Sequence, residues 1–181
     1  MQKIIAFFLL LPGGVLAAWA LAGNWKADAA HAKVRFSVKG PLGDVHGNFS
    51  GLKAEIRFNE KDLSGSSVSA SIDAASVSTG VGLRNHHLRS KEEWLDVKKY
   101  PRIRFQSKKI EKTAEGYKAV GELTLKGVTK PEEIPFTFSS KGAGGVFKGK
   151  LSIKREDYHI GKPGGSTGSV ITIELEVPVK K

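Results

Sequence analysis

Apolar and polar side chains alternate along most of this chain, and this period of two constrains the fold more than any other feature of the sequence. Near the start, Val34, Phe36 and Val38 alternate with basic or hydroxyl-bearing neighbours. The pattern occurs in eight segments: 33–39, 54–58, 68–72, 102–106, 122–126, 136–138, 147–154 and 171–177. A strand with one buried and one wetted face has this period, and clean alternation is typical of antiparallel sheets. Eight such strands predict an all-β sandwich or an up-and-down barrel.

One segment, "RNHHLRSKEEWLD", which begins at Arg84, departs from the strand pattern. Ser90 followed three residues later by Glu93 has the spacing of a capping box, which predicts a short helix over 91–99. We therefore expect one short helix between strands 3 and 4 of the predicted eight. The apolar side chains that this helix would bury against the strands are Trp94 and Leu95.

The first 22 residues (1–22) have the pattern of a secretory signal peptide. Lys3 is the only charge before an apolar run that ends at Leu11, and two small-x-small sites, "AWA" and "ALA", follow. We predict cleavage after Ala22, with Ala20 as the alternative site, which leaves 23–181 as one exported domain in the periplasm. A retained membrane anchor is the competing interpretation, since the stretch after Lys3 is uncharged and long enough to span a bilayer.

The formal net charge is +11, of which Lys3 contributes one, so the exported domain carries +10. Such an excess favours anionic partners. The interpretation that the sequence favours is simple solvation of the outer sheet face by lysines. The specific alternative, for an exported protein, is contact with an anionic membrane surface through the basic exterior, and we expect no binding to nucleic acid. The chain has no cysteine and forms no disulfide, and its sequence leaves the oligomeric state open, with a homodimer as one possibility.

No residue pattern in the sequence points to a catalytic or metal centre. Zinc needs three or four spaced ligands, whereas His86 and His87 are adjacent and the other histidines lie on separate segments. The G-x-S-x-G spacing occurs once, at 164–168, but a predicted strand follows it, whereas the nucleophile turn of α/β-hydrolases leads from a strand into a helix. We therefore predict no enzymatic activity, no metal and no cofactor. An enzyme acting on a lipid or quinone, with His87 as acid or base, is the alternative.

Small residues recur among the large ones on the predicted inward faces. The examples are Ala70, Ala119, Gly121 and Gly149. An eight-stranded barrel either fills its interior with side chains or holds one small ligand. Small inward residues leave room for a ligand, but they equally suit sheet curvature, so the pattern alone leaves both interpretations open.

A series of short motifs runs through the exported domain in a fixed order. They are "W..D..H..V.F.V" from Trp25, "ID..S..TG" from Ile72, "R..HL.S....LD" from Arg84, "YP.I.F.S" from Tyr100, "G.LT..G.TK" from Gly121 and "I.R.D" from Ile153. Together they resemble the YceI-like family of exported, lipocalin-like, polyisoprenoid-binding proteins. Each motif is short, and the specificity of the resemblance lies in their order over nearly the whole domain.

The resemblance implies an eight-stranded antiparallel lipocalin-like barrel around a long apolar channel. Strands of about eight residues, at about 3.3 Å per residue, give a channel of roughly 26 Å. The side chains expected to line it are Phe36, Val38, Phe49, Phe58, Ile72, Phe105, Leu123, Phe138, Phe147 and Ile153. At one end, Leu88, Trp94 and Leu95 are expected to contact the ligand. Arg84 and His87 would bind its head group or, alternatively, tie the turn to backbone carbonyls.

The function implied by the resemblance is binding of a long-chain isoprenoid lipid, of polyprenyl or isoprenoid-quinone type. The protein would then act as a periplasmic carrier or storage protein. A structural or stress-protective module with a filled, ligand-free barrel is a further alternative.

Overall fold

The computed structural model describes residues 23–181. The predicted signal peptide lies outside these residues. In chain order the elements are β1 Gly23–Ala27, β2 Lys33–Gly40, β3 Gly43–Phe49, β4 Lys53–Phe58, β5 Ser67–Asp73, a 3-10 turn Ala74–Ser76, α1 Gly82–Ser90, β6 Arg102–Thr113, β7 Gly116–Leu125, β8 Val128–Lys141, β9 Gly144–Lys154, a 3-10 turn Arg155–Tyr158 and β10 Val170–Lys180. No helix within 23–181 is both long and apolar enough to cross a membrane.

The ten strands form one antiparallel sheet that closes into a barrel. Strands β4 to β10 pair in sequence order, and β1 closes the ring by pairing with both β4 and β10. Further along β10, its partner becomes β2, and β2 in turn pairs with β3. β1 with β2, and β3 with β4, therefore act as two strands that are each interrupted once. Counted in this way the barrel has eight strands, which confirms the predicted fold class.

Two strands, β1 and β3, are absent from the eight predicted segments. β1 has only five residues, which is too short to show a clear period. β3 carries glycine where the alternation calls for a large inward side chain at position 47. Gly47 is required there, because a Cβ would clash with the ring of Phe36 and lie 2.8 Å from the carbonyl oxygen of Ser78.

The helix lies earlier in the chain than predicted. α1 ends at Ser90, and residues 91–99 form turns instead of a helix. The hydroxyl of Ser90 donates to the carbonyl oxygen of His86 at 2.8 Å. The predicted capping box is therefore wrong, because Ser90 closes the last turn of a helix and does not open the first. The position of the single α-helix in the described chain, between β5 and β6, agrees with the prediction.

Candidate ligand-binding cavity

An apolar cavity of about 280 Å³ lies inside the barrel. Inward side chains of β2 to β10 form its wall, and the connections after β5 and β9 close one end. The predicted binding residues that line it are Phe36, Val38, Phe49, Ile72, Leu88, Trp94, Leu95, Phe105, Leu123, Phe147 and Ile153. The polar residues among the described lining are Arg35, Ser71, Arg104, Arg155 and Thr167. A cavity of this size is at the low end of the usual range for small-molecule sites, roughly 300–1,000 Å³.

Small residues create part of this space. Ala70, Ala119 and Gly149 all line the cavity, on β5, β7 and β9. Gly121 does not line the cavity, although the alternation of side chains predicted that it would face inward like the other three small residues. A Cβ at Gly121 would clash with the carbonyl oxygen of Gln106, at the point where β6 shifts register against β7. Gly121 therefore permits close strand packing, whereas the other three leave room for a ligand.

An aromatic cluster fills the end of the barrel opposite the connections. Its members, called here the aromatic floor, are Trp25, Phe58, Tyr117, Phe136, Phe138 and Phe147. Phe58 lies at the centre, with its ring centroid 4.9–5.6 Å from the rings of Tyr117, Phe136, Phe138 and Phe147. Edge-on contacts at such distances stabilise aromatic clusters.

The aromatic floor changes the expected shape of the channel. Phe58 and Phe138, both predicted to line it, are packed within the floor and do not reach the cavity. Both residues alternate with polar neighbours as the other inward residues do. The period of two therefore cannot show which inward side chains line the cavity and which pack into the aromatic floor. The cavity is consequently shorter than the roughly 26 Å expected for a channel along the full strand length.

The connection 74–101 between β5 and β6 covers the other end of the cavity and is called here the lid. Its Ser78 pairs with Asn48 of β3 through two backbone hydrogen bonds of 2.8 and 2.9 Å. The N–H of Leu95 donates to the carbonyl oxygen of Leu88 at 3.0 Å. Leu95 is buried, and it lines the cavity together with Leu88 and Trp94. The burial predicted for Trp94 and Leu95 is therefore provided by turns and not by a helix.

The helix of the lid is only lightly attached to the barrel. None of the α1 side chains is buried. The side-chain oxygen of Asn85 accepts from the N–H and the hydroxyl of Thr79, both at 2.8 Å, and Arg89 donates to the carbonyl oxygen of Val77 at 2.7 Å. The Nε of Arg89 is buried without a hydrogen-bond partner within 23–181, and such a group costs about 1–3 kcal/mol. Within the lid, α1 is thus the part that opens most easily, whereas the buried Val77 and Leu95 hold the segments on either side of it.

Arg84 and His87 do not line the cavity. Both lie on α1 with exposed side chains. No hydrogen bond joins either side chain to a backbone carbonyl of the described residues. The alternative role, in which these two side chains would fix the turn by binding backbone carbonyls, therefore has no contact to support it. A role in binding a ligand's head group therefore remains a prediction for both residues.

Arg155 is a central residue of this end of the barrel that the pattern analysis missed. Its side chain is 2% exposed and lies at the cavity wall. The guanidinium donates to four carbonyl oxygens, those of Ile160, Lys162, Thr167 and Gly168, at 2.8–3.1 Å. Arg155 therefore holds the connection 159–169 beside the lid. The motif "I.R.D" already contained it, and a lone inward arginine among apolar residues was the available signal.

A second buried polar group supports the same region. Tyr158 is completely buried, and its hydroxyl donates to the carboxylate of Glu132 at 2.7 Å. Burial raises the pKa of Tyr158 well above its usual range, and the negative charge of Glu132 adds to this shift. Tyr158 is therefore a fixed, neutral hydrogen-bond donor. It links the segment that follows β9 to Glu132 on β8.

A closed antiparallel barrel around an apolar, ligand-sized cavity defines a lipocalin-like class of protein. Within that class, the chain belongs to the YceI-like family, because the model of the YceI-like domain matches residues 25–179. The resemblance predicted from the ordered motifs is thereby confirmed. A UPF0312 protein of Yersinia enterocolitica is 35% identical over 168 residues, which cover 87% of this chain and 86% of that relative. A UPF0312 protein of Serratia proteamaculans is 37% identical over 147 residues, covering 75% and 76%.

Solved structures show the same barrel. BcnA of Burkholderia cenocepacia matches with a TM-score of 0.79 at 28% identity, over 84% of this chain and 98% of that one. A polyisoprenoid binding domain from Saccharophagus degradans, implicated in plant cell wall breakdown, matches with a TM-score of 0.67 at 16% identity. That match covers 88% of this chain and 98% of the domain, and at this identity it concerns the fold alone.

Proposed function

We propose that this protein binds an isoprenoid lipid, of polyprenyl or quinone type, by burying part of the apolar tail in the barrel cavity. The observation that carries the proposal is the composition of the cavity wall, which is apolar except for five residues. Two of these, Arg35 and Arg104, have exposed side chains, and Arg155 is bound to backbone carbonyls. Such a wall favours a hydrocarbon chain over a polar ligand, since apolar burial contributes roughly 25 cal/mol per Å².

The cavity volume limits how much of a tail is enclosed. A cavity of roughly 150 Å³ accommodates one benzene ring, so about 280 Å³ encloses roughly two groups of that size. A long isoprenoid would therefore bury its terminal units and continue outward past the lid. The light attachment of α1 supports exit at this end, while the aromatic floor blocks the opposite end. The Saccharophagus degradans domain, described as polyisoprenoid binding, has the same fold and supports the same ligand class.

The chemistry of the wall supports a binding role over a catalytic one. Among the described lining residues there is no histidine, cysteine, aspartate, glutamate or lysine. His87, the residue that would act as acid or base in an enzyme, lies exposed on α1 and outside the cavity. We further propose that the protein is exported through cleavage after Ala22 and serves in the periplasm as a carrier or store for its lipid.

A chain-length series tests the binding proposal. Isoprenoid alcohols of two, three, four and five isoprene units are titrated into the exported protein, and affinity is followed by quenching of tryptophan fluorescence. Trp94 lines the cavity and serves as the reporter. Affinity should rise steeply for each added unit until the cavity is full and then level off, because later units remain outside. Native mass spectrometry of the protein from its own host should show an isoprenoid adduct.

The controls separate binding from catalysis. Linear alcohols of matched carbon number and a water-soluble polar analogue report how much of the affinity depends on the branched tail. After long incubation, the ligand mass should be unchanged. A conversion of the ligand would establish the enzymatic alternative, and absence of both adduct and titratable binding would support the ligand-free module.

A further inference from the structure

We propose that the lid end of the barrel docks directly on an anionic lipid bilayer, with the β2–β3 turn and the start of α1 inserted among the lipids. This proposal adds a surface to the proposed function and does not depend on the cavity being occupied. It starts from four large apolar side chains with high exposure in the described chain. They are Leu42, Val81, Leu83 and Val170, with exposed fractions of 102%, 46%, 69% and 50%.

All four side chains belong to the lid end. Leu42 lies in the turn between β2 and β3, and Val170 begins β10, whose next residue, Ile171, pairs with Val38 near that turn. The N–H of Gly168, two residues before Val170, donates to the carbonyl oxygen of Lys39 at 2.7 Å. The other two apolar residues, at 81 and 83, flank the first residue of α1 in the lid. No large apolar side chain of the opposite end, within 23–181, has comparable exposure.

The same segments carry an excess of positive charge. Segments 39–46, 81–91 and 161–170, which carry the apolar tips, hold five basic side chains (Lys39, Arg84, Arg89, Lys91 and Lys162) and one acidic side chain (Asp44). The rest of the lid holds two basic and three acidic side chains, all within 92–101, so the excess is confined to the segments with the apolar tips. Three histidines, at 46, 86 and 87, are also exposed there. At the opposite end, the turns 59–66, 114–115 and 142–143 together hold one basic and three acidic side chains, and the last two residues of the chain add Lys180 and Lys181, so this end has no comparable excess.

The combination of exposed apolar tips and surrounding basic groups identifies the occupant as a bilayer with anionic head groups. Scattered exposed apolar residues are common, but here they share one end with the charge excess. Apolar tips reach the acyl region while Lys and Arg contact phosphate groups, and each basic residue near an anionic surface contributes roughly a fivefold increase in affinity. This orientation also presents the lid, and not the aromatic floor, to the lipids.

Site-specific labelling tests the orientation. The chain has no cysteine, so an introduced cysteine is the only site for a thiol-reactive, polarity-sensitive dye. The variants are Leu42→Cys at the lid end and Ala143→Cys in the exposed β8–β9 turn at the opposite end. With vesicles of three parts phosphatidylcholine and one part phosphatidylglycerol, the dye at position 42 should shift to shorter wavelength and the dye at 143 should not. A shift at 143 with none at 42 would overturn the proposal.

Vesicle flotation of unlabelled protein measures how much the apolar tips and the basic side chains each contribute to affinity for the bilayer. The double variant Leu42→Ser with Leu83→Ser should lose at least about tenfold in affinity for these vesicles. Arg84→Gln with Lys162→Gln should lose roughly 25-fold at low salt and less at high salt, because screening weakens only the charge contribution. The matched control, Lys61→Gln with Lys141→Gln at the opposite end, removes the same charge and should stay within a few-fold of the unchanged protein. Equal losses in both charge variants would refute a specific docking surface.

Two further measurements separate this proposal from its alternatives. If the apolar tips instead join two copies of the chain, the Leu42 and Leu83 substitutions would abolish a dimer in sedimentation experiments, with no vesicle binding by the unchanged protein. That result would overturn bilayer docking. Ala119→Phe, which narrows the cavity, should leave vesicle binding unchanged, so failure of the proposed function and failure of docking give different results.

Discussion

Replacing Ala119 with phenylalanine should occupy the cavity without opening the barrel. Ala119 lies in the middle of β7, is 4% exposed, and lines the cavity. Its strand is paired on both sides, with Ile110 of β6 and Ile134 of β8 as the partners of this residue. The new ring must therefore point inward, because side chains on a paired strand cannot change face without a shift of register.

The expected magnitudes follow from the cavity volume. A phenyl ring fills roughly half of about 280 Å³, which leaves room for about one isoprene unit fewer. At about 0.8 kcal/mol per buried carbon, five carbons contribute roughly 4 kcal/mol, so affinity should fall several-hundredfold. Burial of the ring gains about 1.5–3 kcal/mol, and local overpacking costs about 1–3 kcal/mol. The free energy of unfolding should therefore change by less than about 2 kcal/mol.

The assay compares two variants that differ only in the face of the strand. Val120→Phe places the same ring one residue further along β7, on the outer face. Both variants are titrated with a four-unit isoprenoid alcohol, and their thermal unfolding is recorded. We expect Ala119→Phe to lose the calculated affinity at nearly unchanged melting temperature, while Val120→Phe binds normally. Should Ala119→Phe fold and bind as tightly as the unchanged protein, the ligand does not occupy this cavity.

Three predictions concern stability. Arg155→Lys should lower the free energy of unfolding by about 3–5 kcal/mol in chemical denaturation, since a lysine cannot reach the four carbonyls that the guanidinium binds; an unchanged midpoint would show that these hydrogen bonds are dispensable. Tyr158→Phe should cost about 1.5–3 kcal/mol at neutral pH through loss of the hydrogen bond to Glu132. Because the pKa of Tyr158 is raised in the folded state, the stability it contributes is complete below pH 10 and is lost as pH rises above it, so the variant should show weaker alkaline destabilisation. Gly121→Ala should cost more than about 2 kcal/mol, because its Cβ would meet the backbone at Gln106, and a neutral effect in calorimetry would contradict that packing.

The strand content of this fold could be predicted from side-chain period because one face of nearly every strand is buried. In β10, Ile171, Ile173, Leu175 and Val177 face inward along their whole length, and their period is unmistakable. β3 escaped prediction because Gly47 gives up its inward side chain to the ring of Phe36, which is a contact between strands. A local pattern cannot show such a contact.

The candidate site was predictable in its wall and not in its ends. Phe105 and Leu123 face the cavity as their alternation predicts, whereas Phe138, with the same alternation, belongs to the aromatic floor. Which inward residue meets a cavity depends on its height in the barrel, and height follows from strand stagger across the sheet. The role of Arg155 depends on carbonyls up to 13 residues away and follows from the path of a loop. The helix position failed for a related reason, because Ser90 can serve either end of a helix.

The outer edge of β3 affects how this protein behaves when it is concentrated. One side of β3 pairs with β2, and the only residue pairing with its other side, among those the structure describes, is Ser78 of the lid. Whenever the lid moves away, that edge presents unpaired amide and carbonyl groups, which can template a strand of another molecule. Exposed Asp44, His46 and Asn48 along β3 limit such pairing through their polarity. Opening of the lid thus carries an aggregation risk, and if a hydrocarbon chain enters past the lid as proposed, the risk is greatest during its entry and release.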